Sequence, residues 1–111
     1  MSRTTPERIA DILDAIARCQ RYAGSLGSSD RTLVDMAEDA IERNLQVIGE
    51  ASNALPADVT EAHPEIPWPQ IRGFRNILVH EYFGVDVATV REVIDTHLPR
   101  LAAALRQYSV K

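Results

Sequence analysis

One cysteine, Cys19, stands in 111 residues, and a lone thiol excludes any disulfide within the chain. No Cys/His cluster has the spacing of a zinc site. Cys19 is expected to pack as a small apolar residue on or near the inner face of the first helix. No run approaches the ~18–20 apolar residues that a membrane span needs, and the N-terminus has no apolar signal-peptide stretch. A cytoplasmic protein with no membrane partner is the expectation. Basic charge is not in excess: 12 Lys/Arg against 16 Asp/Glu give a formal net charge of −4. That balance argues against a protein that coats nucleic acid through a broad basic surface, and DNA is not expected as a ligand. Internal repeats, low-complexity tracts and alternating strand patterns are missing too. The length leaves room for one domain, residues 1–111, with a modest core.

What is present reads as helices throughout. Thr5-Pro6-Glu7 is a start signal, with a hydroxyl N-cap, proline in the first turn and an acid behind it. Ile9, Ile12, Leu13 and Ile16 then recur at helical spacing until Gly24, and Gly24–Ser29 is a short loop. A long second helix is expected from about Asp30 to Leu55, with Leu33, Ala37, Ala40, Ile41, Ile48 and Ala51 as its buried stripe and Pro56 ending it. Gly49 inside it costs roughly 1 kcal/mol relative to Ala, so the position calls for a missing side chain, as where a neighbouring helix comes close. Residues 56–67, with three prolines, form a connector with a short helical turn around Asp58–His63. Trp68-Pro69 opens a third main helix that fades near Gly84. Asp86 caps the last, where Val90, Val93, Ile94, Leu98, Leu101 and Leu105 form the apolar face and Pro99 introduces a kink. The expected fold is all-α, an antiparallel bundle of four main helices plus a short connector helix.

Chemistry concentrates in the third of these helices. Arg75, Asn76, His80 and Tyr82 fall within eight residues, and no acid occurs between Glu65 and Glu81. A guanidinium that holds phosphate, an imidazole that titrates near neutrality and a phenol suit phosphodiester chemistry. On a regular helix Arg75 and Tyr82 share one face, and Asn76 and His80 another. Arg75 and His80 are then about 140° apart around the axis and about 7.5 Å along it, too splayed to meet on one small group. The helix ends before His80, the Arg75 side chain wraps around, or two copies meet across a two-fold axis. Structural roles compete with these functional ones. His80 would bond a backbone carbonyl or carboxylate, Arg75 would pair with Glu81 or Asp86, and Tyr82 would be a core-edge ring. His63 and His97 have no partners nearby in sequence and are assigned to structure or solvent. Trp68, between prolines, is expected to anchor the connector.

Arg75-Asn76-x3-His80-x-Tyr82 resembles the R-x4-H-x-Y motif of HEPN domains (higher eukaryotes and prokaryotes nucleotide-binding), specifically the HepT-like toxins. Arg43-Asn-Leu-Gln-Val-Ile-Gly-Glu-Ala51 is similar to that family's second-helix signature, and Ile66-Pro-Trp68 to its connector. His80-Glu-Tyr-Phe-Gly-Val-Asp86 matches its motif-to-last-helix junction, and Leu98-Pro99 its closing helix. The resemblance spans residues 7–106 or so. It implies a homodimer whose paired motifs build a composite cleft, and metal-independent cleavage of RNA without a cofactor. It further implies a toxin–antitoxin system, in which a minimal nucleotidyltransferase antitoxin inactivates the toxin by transferring AMP to the motif tyrosine. Carried over by position, Arg75 and His80 are catalytic, Asn76 is supporting, and Tyr82 is the AMPylation target. The rival expectation is a non-catalytic nucleotide- or partner-binding helical module, acting as subunit or substrate of a nucleotidyltransferase; the acidic net charge favours it.

Overall fold

The computed structural model describes residues 3–76 and 87–108, and among them no strand occurs. The expectations for His80, Glu81, Tyr82, Gly84 and Asp86 lie outside these residues.

Helix α1 runs Thr5–Ala23. Its N-cap is Thr4, one residue earlier than the sequence reading placed it. Only Thr4 stands three residues before Glu7, so only it closes a capping box. The Thr4 hydroxyl accepts from the Glu7 amide at 3.2 Å and Glu7 Oε1 accepts from the Thr4 amide at 2.9 Å. That amide is the main reason the Glu7 carboxyl is held below its ordinary pKa. A 3₁₀ turn, Gly24–Gly27, and a bend lead to Asp30, which caps helix α2, Arg31–Asn53, by accepting from the Thr32 amide.

The inner stripe of α2 is Val34, Ala37, Ile41, Leu45 and Ile48, at steps of three and four. Leu33, expected in that stripe, is 45% exposed, because Val34 takes the inward position and the neighbouring residue turns out by about 100°. Against this stripe α1 sets Ile9, Ile12, Ile16 and Cys19, each at most 2% exposed. Burying each isoleucine contributes about 1.5–3 kcal/mol.

After α2 the chain enters helix α3, Ala57–Glu61, and helix α4, Trp68–Arg72. Trp68 does anchor this connector: buried, its indole N–H donates to the Thr60 and His63 carbonyls, both at 3.0 Å. His63 is structural as well. With its proton on Nδ1 it donates to Glu65 Oε2 at 3.4 Å, leaving Nε2 to accept from the Gln107 amide at 3.0 Å or the Tyr108 hydroxyl at 3.1 Å. The connector is thus tied to the far end of the chain.

The C-terminal part comprises helix α5, Val87–Glu92, a π turn, Val93–His97, and helix α6, Leu98–Leu105. The apolar face read from the sequence is buried at all six positions. The kink expected at Pro99 takes the form of the π turn, in which the Leu98 amide reaches back to the Val93 carbonyl. Pro99 has no N–H to offer the carbonyl four residues before it, and its ring collides with that carbonyl, so the preceding turn widens. Helices α1 and α6 also pack together. Arg91, on α5, donates Nη1–H to the Ala23 carbonyl at 2.9 Å and so caps the end of α1.

Candidate active site

The α-helix that opens at Trp68 gives way after Arg72, and the stretch expected to carry it on to Gly84 lies beyond the described residues from position 77. Gly73–Asn76 is a 3₁₀ turn, so the regular-helix projection drawn from Arg75 does not hold at its starting point. The turn lies directly on α2, and Gly49 is what lets it. A Cβ at Gly49 would come within 2.9 Å of the Arg72 carbonyl oxygen and closer still to the Arg75 amide nitrogen. The missing side chain read from the sequence is therefore explained by backbone approach at the very residue picked for chemistry.

Within this turn the apolar and polar residues part. Phe74 is buried, 3% exposed, and so is Ile71 just before it, while Arg75 and Asn76 are exposed. Arg75 lines a groove of about 520 Å³ whose floor and walls come from α1 and α2, including Arg8, Asp11, Arg43, Gln46 and Glu50. Three arginines thus line one groove. Asp11 is already engaged, since Arg3 donates to both its oxygens at 3.0 and 2.7 Å. A second hollow of about 280 Å³ shares Asp11, Arg43 and Val47 with the first and continues along the α1–α2 seam to Arg18.

Arg8 and Arg43 were not singled out in the sequence. A signal for Arg43 existed: Arg43, Gln46, Val47 and Glu50 fall at i, i+3, i+4 and i+7, one face of α2 beside Gly49. Arg8 had no such signal, because only the packing of α1 on α2 brings it there. His80 and Tyr82 lie outside the described residues, so the meeting of Arg75 with His80 is not given by this structure. Among the described residues no group of three or more His, Cys, Asp or Glu side chains is placed to hold a metal ion, and no helix is long and apolar enough to cross a membrane.

With this geometry in hand, comparison with known proteins is informative. Residues 12–108 match the family described as "Ribonuclease HepT-like". The chain is 34% identical over 101 residues to "Probable ribonuclease HepT" of Thermococcus cleftensis, covering 91% of this chain and 92% of that protein. It is 38% identical over 91 residues to "Putative RNase MJ1380" of Methanocaldococcus jannaschii, covering 82% and 84%. No solved structure matches. On these matches, the all-helical chain belongs to the HepT-like ribonuclease family.

Proposed function

We infer that this chain is a metal-independent endoribonuclease, with Arg75 and His80 as its catalytic residues, Asn76 supporting, and two protomers sharing each site. The observation that carries the reading is Arg75 itself. It is the exposed guanidinium of a turn seated on Gly49, and it opens into a groove with two further arginines. Family membership supplies the substrate class.

RNA brings its own nucleophile. In the proposed reaction the 2′-oxygen attacks phosphorus as its proton passes to an imidazole. The bond from phosphorus to the 5′-oxygen breaks, and the departing oxygen takes a proton from a second acid. The products are a 2′,3′-cyclic phosphate and a free 5′-hydroxyl. Imidazole titrates near 6.5, which suits it to accept the 2′-hydroxyl proton. Arg75 holds the phosphate and offsets the charge building on its non-bridging oxygens through its planar fork of donors.

Each shared site would pair Arg75 of one protomer with His80 of the other, that His80 taking the 2′-hydroxyl proton while a water molecule protonates the departing oxygen. The same reading includes control by a minimal nucleotidyltransferase antitoxin. AMP attached to Tyr82 would set bulk and negative charge two residues from His80, excluding the RNA phosphate.

Purified protein should cut RNA with chelator present, and His80→Ala should slow cleavage by about 10²–10⁴-fold with the helical circular-dichroism signal retained. Undiminished cleavage in His80→Ala, or activity abolished by the chelator, would contradict the reading.

A further inference from the structure

Arg43 shares the groove of Arg75 but has no part in the proposed proton transfers or in Arg75's hold on the scissile phosphate. It lines both hollows of the α1–α2 seam, the one that holds Arg75 and the one that runs on to Arg18. Among the described residues no ion pair engages Arg43 or Arg75. Arg8 and Arg18 are ten residues apart, about 15 Å along α1, so the seam is longer than one phosphate requires. Of the acids lining the two hollows, Asp11 has both oxygens taken by Arg3, whereas Asp14, exposed in the hollow of Arg18, opposes an anion there. Glu50, exposed and seven residues on from Arg43, shares its face of α2 and opposes an anion there. Among the described residues, those lining the two hollows include no aromatic ring on which a base could stack.

We propose that the α1–α2 seam is the track for the RNA strand flanking the cut, and that Arg43 holds a backbone phosphate beside the scissile one. The ligand class is the single-stranded RNA phosphodiester backbone, held through charge. A track that grips the backbone in this way is indifferent to base identity and sensitive to salt. Its affinity grows with strand length, because each added phosphate reaches further along the seam. This assignment rests on the ribonuclease reading of Arg75 and His80, and it adds to that reading the element that senses substrate length.

The test uses the full-length protein and a fluorescent 12-nucleotide RNA with 2′-O-methyl groups, which has no 2′-hydroxyl nucleophile and stays intact. Binding is measured across a salt series, beside a dinucleotide with a single phosphate. Arg43→Gln should weaken binding of the 12-mer about fivefold and reduce the slope of log affinity against log salt by about 0.7. The dinucleotide should be unaffected, Arg43→Lys should recover most of the loss, and Glu50→Gln should tighten binding. Changing the base sequence at constant length should alter little.

An unchanged slope in Arg43→Gln overturns the track, as does a shift of that variant from dimer to monomer with its salt slope intact, which would make the seam a protein interface. The two readings separate cleanly. Arg43-dependent binding by a protein that cuts no RNA removes the nuclease reading and leaves the track. Cleavage of long RNA that Arg43→Gln leaves untouched removes the track alone.

Discussion

Arg75 is exposed although Ile71 and Phe74, within four residues of it, are nearly fully buried. Two apolar anchors fix the backbone and leave the guanidinium free to reach a ligand, which is how a short segment becomes a site. Arg75 was singled out by residue type and local spacing, and the structure places it exposed beside a groove. The placements of Arg8 and Arg91 were not legible, since each depends on a contact between helices distant in the chain. Cys19 was legible for a simpler reason: a thiol in an apolar stripe is buried with it. Burial pushes its pKa up from 9.0 to about 12. Its folded value is raised, so the stability linked to it is whole below pH 9 and is lost as pH climbs towards 12. Chemical denaturation between pH 8 and 11 should show a steeper fall in stability for the natural protein than for Cys19→Ala. Parallel curves would show that the thiol does not titrate differently in the folded chain.

At the scale of elements, most signals that involve neighbours in sequence were read well. The prolines and the closing helix's apolar face belong to this kind, whereas the cap of α1 was read at Thr5, one residue late. Other errors came where a packing partner decides. Leu33 and Val34 are equally good candidates for a buried stripe until α1 selects one of them. A regular helix through Arg75 was the natural projection, yet the chain tightens into a 3₁₀ turn as it crosses Gly49. Gly49→Ala makes the balance measurable. Helix propensity gains about 1 kcal/mol, but overpacking against the Arg72–Arg75 backbone costs about 1–3 kcal/mol. The variant should therefore be no more stable than the natural protein, and its RNA cleavage should fall because Arg75 is displaced. A gain of a full 1 kcal/mol with unchanged cleavage would show that the turn is not held by this contact.

The whole molecule explains how an acidic protein can still act on RNA. Twelve of its sixteen acids precede residue 69, whereas the stretch from Ile66 to His80 holds none. A net charge of −4 works against binding nucleic acid at large, while the groove beside Arg75 gathers three arginines. How two chains would combine was never legible in a single sequence, because a two-fold contact leaves no periodic pattern of its own. The shared site nevertheless has a decisive test in mixed dimers of Arg75→Ala and His80→Ala chains. If each site takes its arginine from one protomer and its histidine from the other, a mixed dimer keeps one intact site. An equimolar, re-equilibrated mixture of the two inactive variants should then recover about a quarter of natural RNA cleavage. A mixture that forms dimers and remains as inactive as its components would contradict the shared site.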